Sequence, residues 1–280
     1  MKTIGFVDYY LSEWHANNYP GWIKEICEEK GIDVCLKYAW AEENVSPLDG
    51  KTTEQWCEDF GCEKCETLSE LCEKCDYVLV LSPSNPEKHL QYAKEVLKYK
   101  KNTYIDKTFA PDYDEAKEIF EIAEKYGTKF FSSSALRYAD ELSELENVKN
   151  IVTTGGGGNL PEYIIHQIEM VEKLLKEKAV SVRVENQGRQ SICNVAFKND
   201  KKATMIYAPA LPFAVCAEND KGESLYKVVS SDFFKNLLAD ILNFYETGER
   251  SFDPSETLEI MKIRTGIIKS FENPGECVKL

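Results

Sequence analysis

Apolar and polar residues follow a strand, helix, strand order in the segment that ends at Lys107. Tyr77–Leu81 is a β-branched and aromatic run that predicts a buried strand, and the apolar spacing within Glu87–Tyr99 predicts a helix. Thr103–Ile105 predicts the next strand. Together these segments predict a right-handed βαβ unit. Ligands of open parallel sheets bind at the carboxyl ends of the strands, so we expect Ser82 and Lys107 to face one crevice.

The same alternation extends over residues 1–135 and predicts an α/β domain with a doubly wound parallel sheet, as in nucleotide-binding domains. Pro20 suits the opening turn of a helix, so the first helix is placed there. The other predicted strands are Thr3–Val7, Ile32–Tyr38 and Lys129–Ser133, and the other predicted helices are Pro20–Lys30, Thr53–Phe60, Cys65–Lys74 and Tyr113–Tyr126.

The pattern changes after residue 135 and predicts an α+β domain over residues 136–280 with a mostly antiparallel open sheet. The last helix is a candidate to pack back onto the first domain. The predicted elements are a strand at Val148–Thr153, a helix at about Pro161–Lys176, consecutive strands between Ala179 and Val229, and helices at about Asp232–Tyr245 and Ser255–Phe271.

The formal net charge of -14 argues against a nucleic-acid partner, because phosphate binding needs a clustered excess of Lys and Arg. No apolar run approaches the ~20 residues of a membrane-spanning helix. Met1-Lys2 leads directly into a strand rather than a signal sequence. We therefore expect a cytoplasmic protein that binds neither nucleic acid nor membrane.

Five of the ten cysteines lie close together in the sequence, at Cys57, Cys62, Cys65, Cys72 and Cys75. The two C-x-x-C pairs among them have a spacing that is common in zinc and iron–sulfur sites. The second pair, however, ends a predicted helix, and the six residues between the pairs are fewer than in a zinc ribbon. We favour reduced thiols over a structural metal or a redox pair and assign no metal site.

His166 lies on the helix predicted after residue 160, with Glu162 four residues before it and Glu169 three residues after it. These spacings place the three side chains on one helix face. A histidine between carboxylates suits general acid–base catalysis, because a carboxylate fixes its tautomer and raises its pKa. The alternative is a solvated helix face with local charge pairing.

Four consecutive glycines, Gly155–Gly158, precede this helix. They fit either a phosphate cradle at the helix N-terminus or a flexible turn that lets the backbone pass close to a ligand. Pro161 and Glu162 follow at once, and a carboxylate there would repel phosphate. We favour the flexible turn.

Two motifs in this order resemble the Gfo/Idh/MocA family, named after glucose–fructose oxidoreductase, inositol dehydrogenase and rhizopine catabolism. The family shows a strand, T-P-x-x-x-H, a helix and then E-K-P, where this chain has Pro83, His89 and Asp106-Lys107-Thr108. The family's G-G-G-x-L-x-D-x-G-x-H-x-x-D is similar to GGGGNLPEYIIHQIE, in which the matching positions are Gly156–Gly158, Leu160, Glu162, His166 and Glu169. Glu256–Ser270 is similar to the family's last helix.

The resemblance implies a Rossmann-like first domain and a second domain whose open sheet packs a substrate site and often an oligomer interface. It implies an oxidoreductase that uses NAD or NADP and moves a hydride to or from a hydroxyl carbon of a sugar, cyclitol or related polyol. A homodimer or homotetramer is implied as well.

The resemblance also implies roles for particular residues. Lys107 would lie beside the nicotinamide ribose and the substrate hydroxyl, His166 would exchange the hydroxyl proton, and Glu162 would orient the substrate. The implied cofactor-binding residues are Ser82, Pro83, Ser84, His89, Asp106 and Lys107.

The first loop departs from the family pattern. It lacks the G-x-G-x-x-G fingerprint that brings backbone close to a pyrophosphate, and Tyr9, Tyr10, Glu13 and Trp14 stand there instead. No acid stands at the predicted end of the second strand, and Glu42 is the nearest candidate. These departures leave an alternative open, a protein with the family fold that has lost dinucleotide chemistry and acts as a small-ligand-binding or regulatory protein.

Overall fold

The computed structural model describes all 280 residues, Met1–Leu280. The chain forms two compact units. The first comprises Met1–Ser133 and Leu238–Ser251, and the second comprises Ser134–Leu237 and Phe252–Leu280.

The first unit is an α/β unit with a sheet of six strands, in the order β3-β2-β1-β4-β5-β6, and every strand pair is parallel. This is the strand order of a doubly wound Rossmann domain, and it confirms the predicted fold class. The strands are β1 (Lys2–Asp8), β2 (Val34–Ala41), β3 (Glu63–Lys64), β4 (Tyr77–Val80), β5 (Thr103–Ile105) and β6 (Phe130–Phe131). The helices are α1 (Trp14–Lys30), α2 (Thr53–Phe60), α3 (Leu68–Lys74), α4 (His89–Val96) and α5 (Tyr113–Tyr126), and 3₁₀ turns at Pro86–Lys88 and Leu97–Tyr99 flank α4.

The core of this unit lies along the central strands. Phe6 of β1 and Leu79 of β4 are fully buried, as expected of strands that helices cover on both faces. Gly5 allows α3 to pack closely on β1, because a Cβ there would lie 2.6 Å from Leu71. Close packing of α3 in turn fixes the position of β4, which follows it directly in the chain.

Helix α1 begins at Trp14 rather than at the predicted Pro20, which lies inside the helix. The physical reason is the N-cap residue, Glu13. Its carboxylate accepts hydrogen bonds from the backbone N–H groups of His15 and Ala16, which are among the donors that a helix start leaves unpaired. The loop after β1 is therefore shorter than predicted.

The second unit is an α+β unit with a sheet of seven strands, in the order β12-β11-β7-β10-β9-β8-β13. Only β7 and β10 pair in parallel, so the predicted mostly antiparallel open sheet is confirmed. The strands are β7 (Val148–Gly155), β8 (Ala179–Gln187), β9 (Gln190–Phe197), β10 (Lys202–Tyr207), β11 (Ala214–Asn219), β12 (Ser224–Val228) and β13 (Cys277–Lys279). The helices that lie wholly in this unit are α6 (Leu160–Leu175) and α8 (Ser255–Glu272), with 3₁₀ turns at Ala135–Tyr138, Asp140–Glu144 and Lys198–Asp200. Helix α7 (Phe233–Thr247) begins in the second unit, and its residues from Leu238 onward belong to the first.

Helices cover one face of this second sheet. Helix α6 packs on β7 and β10, α8 packs on β8 and β13, and the two helices contact each other. Apolar side chains remain exposed elsewhere on the sheet, among them Val152 at 40% and Tyr226 at 61%. Cys216 is the strand-pair partner of both residues, so the three side chains form a row, here called the open-face row, across β12, β11 and β7.

The last helix, α8, belongs to the second unit, and its packing onto the first domain stays a prediction. The segment that returns to the first unit is Leu238–Ser251. Within it, the Tyr245 hydroxyl donates to the Val78 carbonyl at 2.7 Å, and its ring stacks on Tyr77 with centroids 4.7 Å apart. None of the helices combines the length and apolar character that a bilayer crossing requires.

Candidate functional site

Polar residues gather at the carboxyl edge of the first sheet. Asp8 ends β1, Ser82 follows β4, and Lys107 follows β5. These strands are neighbours in the sheet, so their ends lie side by side. Ser82 donates its backbone N–H to Asp8 Oδ1 at 3.0 Å, and the Lys107 ammonium donates to the Pro83 carbonyl at 3.2 Å. The loop after β4 and the lysine after β5 therefore meet, as their positions at strand ends predict.

Lys107 is only 8% exposed, although lysine is almost never fully buried without a partner. The peptide bond between Lys107 and Thr108 is cis. The preceding residue, Asp106, is also buried. Its Oδ1 accepts a hydrogen bond from the Tyr104 hydroxyl at 3.1 Å, whereas its Oδ2 has no hydrogen-bond partner. A buried ammonium group at a strand end is suited to stabilising negative charge on a reacting oxygen.

His89 supports the same edge from inside the protein and does not line it. It is fully buried, with Nε2 2.7 Å from the Leu81 carbonyl and Nδ1 3.1 Å from the Phe109 carbonyl. Burial lowers the pKa of His89 despite these two carbonyls. The ring links the end of β4 to the segment after β5. Because both ring nitrogens face backbone carbonyls, we do not assign them a direct contact with the cofactor. Of the neighbouring residues, Pro83 is buried and Ser84 is exposed.

Glu13 and His15 also belong to this edge, although no sequence motif identifies them as functional. Glu13 Oε2 lies 3.1 Å from His15 Nδ1, and Asp106 Oδ2 lies 3.9 Å from His15 Nε2. Glu13 is 6% exposed and His15 is 9% exposed. A buried imidazole thus stands between two buried carboxyl groups, an arrangement that can hold or pass a proton.

Asp8 adds a third buried carboxyl group to this edge. Its Oδ1 accepts hydrogen bonds from the N–H groups of Tyr9 at 2.7 Å and Ser82 at 3.0 Å, and its Oδ2 has no hydrogen-bond partner. Burial, followed by the charge of Glu13, raises the pKa of Asp8 well above its ordinary range. The two carboxyl groups therefore lie close enough to oppose each other's ionisation.

Glu42 follows β2 directly, where Rossmann domains place an acid that binds a ribose. The predicted end of this strand at Tyr38 is wrong, because β2 continues to Ala41. Glu42 accepts a hydrogen bond from the Tyr92 hydroxyl at 2.8 Å and pairs with Lys88. Burial acts to raise the pKa of Glu42, but these two hydrogen bonds outweigh it and the pKa is lowered. The acid is present and charged, and it already has two partners.

His166 lies in the second unit, on α6, where Ser134 orients its ring. Ser134 Oγ lies 2.6 Å from His166 Nδ1, and the Phe213 ring meets the imidazole edge-on with centroids 5.6 Å apart. Ser134 Oγ also accepts a hydrogen bond from the Leu136 N–H at 3.2 Å. This arrangement lets the serine hydroxyl donate to Nδ1, which favours the imidazole tautomer with its proton on Nε2.

The two glutamates near His166 have different roles. Glu162 lies in the first turn of α6, where its backbone N–H donates to the N-cap residue Asn159 at 2.9 Å. Glu169 is buried, accepts the Ser134 N–H at 2.8 Å and pairs with Arg137 at 3.3 Å. Glu169 and His166 thus both contact Ser134, as residues on one helix face can, and the Glu169 carboxylate binds the start of the turn at residues 135–138.

The glycines at Gly155–Gly158 pack against the chain itself. A Cβ at Gly156 would lie 2.6 Å from the Pro209 carbonyl oxygen, and a Cβ at Gly157 would overlap the Tyr163 ring. Gly157 also has a φ of +145°, which L side chains rarely adopt. The backbone therefore passes close to the connection after β10 at this point.

The clustered cysteines pack inside the first unit. Cys65, Cys72 and Cys75 are buried, and Cys62 is partly exposed. Burial raises the pKa of Cys65 to about 12 and that of Cys75 to about 11, so both remain thiols at neutral pH. No group of three or more His, Cys, Asp or Glu side chains has an arrangement that could hold a metal ion.

A family model described as "Oxidoreductase family, NAD-binding Rossmann fold", the GFO_IDH_MocA model, matches residues 44–134. The matched segment contains Ser82, Pro83 and Lys107. The resemblance seen in the sequence is thereby confirmed for this segment. The match to Gfo/Idh/MocA begins after β2, so it does not include β1, the first loop or α1.

Solved structures share the fold over the whole length of this chain. A probable dehydrogenase from Thermotoga maritima is similar over 99% of this chain and 98% of its own, with a TM-score of 0.79 and 14% identity. A myo-inositol dehydrogenase from Lactobacillus casei, in complex with NAD(H) and myo-inositol, is similar over 100% and 96%, with a TM-score of 0.82 and 10% identity. At such identities the likeness shows the fold. No curated protein sequence matches the chain.

The description of the matching family names NAD, and the fit of a dinucleotide depends on the first helix of this chain. Rossmann domains hold the diphosphate against N–H groups at the N-terminus of that helix. Here the N–H groups of His15 and Ala16 already donate to Glu13, and Asp8 is a second carboxyl group nearby. The diphosphate does not fit this position as it stands. The residues that the resemblance assigns to the nicotinamide side, around Lys107, lie together at the neighbouring strand ends.

Proposed function

We propose that this chain is an oxidoreductase that moves a hydride between a nicotinamide cofactor, NAD or NADP, and a hydroxyl carbon of a sugar, cyclitol or related polyol. The observation that carries the proposal is the buried Lys107 at the end of β5, inside the segment that matches the family. A hydroxyl carbon can give up a hydride only as its oxygen loses a proton. An ammonium group beside that oxygen stabilises the charge that develops.

The proposal gives particular residues the roles that the family resemblance implies. Lys107 supplies the positive charge, His166 exchanges the hydroxyl proton, and Glu162 orients the substrate. The hydrogen bond between Ser134 and His166 supports this assignment, because a fixed ring with a defined tautomer is what proton exchange requires. The polyol class is supported by the myo-inositol dehydrogenases among the structures with the same fold.

Calorimetric titration with NADH and NADPH tests the cofactor half of the proposal. Measurable binding at or below millimolar cofactor is expected, and its absence for both would refute the dehydrogenase assignment. Turnover of a panel of polyols then tests the catalytic half. Lys107→Ala should lower kcat by about 10²- to 10³-fold, the typical effect of losing one electrostatic stabiliser. The matched control is Lys149→Ala, which removes an exposed lysine; equal turnover in the two variants would remove Lys107 from its role.

Glu13 favours a second candidate function, a small-ligand-binding or regulatory protein that has lost dinucleotide chemistry. The supporting observation is that the Glu13 carboxylate lies at the N-terminus of α1, where Rossmann domains bind a diphosphate. On this alternative, NADH and NADPH produce no heat, whereas a polyol such as myo-inositol raises the melting temperature by itself. A dehydrogenase that needs its cofactor bound first should show the polyol effect only with NADH or NAD present.

The proposal includes self-association as a homodimer or homotetramer through the open-face row of the second sheet. Val152 and Tyr226 are apolar or aromatic and well exposed, and Cys216 lies between them. Contiguous apolar surface on a soluble protein is typical of an interaction site. A second copy of the same sheet would cover this row by packing face to face.

A further inference from the structure

The first helix carries its own anion. Helix α1 has 17 residues, and the N-terminus of such a helix presents unpaired N–H groups and a partial positive charge. Glu13 Oε2 accepts the His15 N–H at 2.8 Å, and Glu13 Oε1 accepts the Ala16 N–H. The two carboxylate oxygens therefore occupy the donors that two phosphate oxygens would otherwise use.

The Glu13 side chain is held in place and is not a free surface group. It is 6% exposed, and its Oε2 also contacts His15 Nδ1 at 3.1 Å. An incoming phosphate would have to displace a carboxylate that has three nitrogen contacts. It would then lie beside Asp8, which is 1% exposed and keeps one carboxyl oxygen without a hydrogen-bond partner. The bound Glu13 carboxylate and the neighbouring Asp8 carboxyl group both oppose the binding of a further anion at the start of α1.

We propose that Glu13 acts as a resident anion at the start of α1 and is the residue that makes this chain discriminate against ligands with a nucleotide diphosphate. This inference goes beyond the proposed function, because it concerns every ligand that carries a diphosphate, whether or not a hydride is transferred. It also agrees with the family match, which begins only after this part of the chain.

The test compares the affinities of the full-length protein for NADH, ADP and adenosine by calorimetry, in the wild type, Glu13→Ser and Glu13→Gln. Serine is a good N-cap without charge, and glutamine keeps the size and one capping oxygen. Both variants should bind NADH and ADP at least about tenfold more tightly, because like charges about 4 Å apart repel strongly within a protein. Adenosine has no diphosphate, so its affinity should change less than twofold.

Glu29→Gln is the matched control, because it removes the same charge from an exposed position on the same helix. It should behave as the wild type. Circular dichroism checks that each variant is folded, and if one Glu13 variant is unfolded the other decides. Variants that bind NADH and ADP no more tightly than the wild type, including no binding in any of them, overturn the inference, and so does an equal gain for adenosine.

The same data separate this inference from the proposed function. Binding of NADH by the Glu13 variants but not by the wild type refutes the dehydrogenase assignment and supports the inference. Binding by the wild type without any gain in the variants supports the dehydrogenase assignment and overturns the inference.

Discussion

Glu172 is a buried carboxyl group whose ionisation should destabilise the second unit at high pH. It lies on α6, is 3% exposed, and has one carboxyl oxygen without a hydrogen-bond partner. Burial, followed by the charges of Glu259 and Glu256, raises the pKa of Glu172 to about 8, and Arg137 offsets only part of this. The group is therefore mostly protonated in the folded protein at neutral pH.

The folded state binds the Glu172 proton more tightly than the unfolded state does, so this group lowers the free energy of unfolding as pH rises. The loss begins near pH 4.5 and is complete above about pH 8. It amounts to about 5 kcal/mol, at about 1.4 kcal/mol for each tenfold change in the acid constant. Relaxation around a buried charge reduces this value, so we expect Glu172→Gln to stabilise the protein by roughly 2–4 kcal/mol near pH 9 and by about zero near pH 4.

The assay is urea unfolding followed by far-ultraviolet circular dichroism. Tryptophan fluorescence would report on the wrong part of the molecule, because all four tryptophans lie in the first unit. Glu146→Gln is the control, since it neutralises an exposed carboxylate of the second unit. It should change stability little at either pH. Equal stabilisation by Glu172→Gln at both pH values, or none near pH 9, would refute the reasoning.

Two further perturbations test other parts of the structure. Gly156→Ala should lower the free energy of unfolding by about 1–3 kcal/mol, because its Cβ would meet the Pro209 carbonyl oxygen at 2.6 Å. Gly158→Ala is the control, because the nearest atom to its Cβ would lie 3.6 Å away. Equal melting temperatures of the two variants would contradict the prediction. Val152→Asp should reduce the molecular mass in light scattering after gel filtration, because it places a charge in the open-face row; an unchanged oligomer would exclude that face as the interface.

Elements with local end signals are predictable from the sequence. Helix α5 has the predicted bounds, because Asp112 caps its start through its side chain and Gly127 ends it in the left-handed conformation. Helix α1 shows the opposite case. Pro20 is a familiar start signal, yet the apolar positions Ala16 and Tyr19 continue the helical spacing before it, and that spacing was the available sign of an earlier start.

Some features of the candidate site are likewise predictable from the sequence, and others are not. The contact of Lys107, at the end of β5, with the loop after β4 follows from parallel strand order, which local patterns reveal. The Glu13 cap and the Arg137–Glu169 pair do not follow from any local pattern, because a long acidic side chain is not a usual cap and Arg137 reaches the helix from a separate turn. Strands β3 and β13 are two and three residues long, and they exist only through pairing with neighbouring strands.

The most direct test of the central proposal is a calorimetric titration of NADH into the wild type and the Glu13→Ser variant under the same conditions. We predict binding to the wild type at or below millimolar NADH, and binding at least about tenfold tighter once the Glu13 carboxylate is gone. No binding of NADH or NADPH to the wild type would contradict the assignment of this chain as a nicotinamide-dependent oxidoreductase.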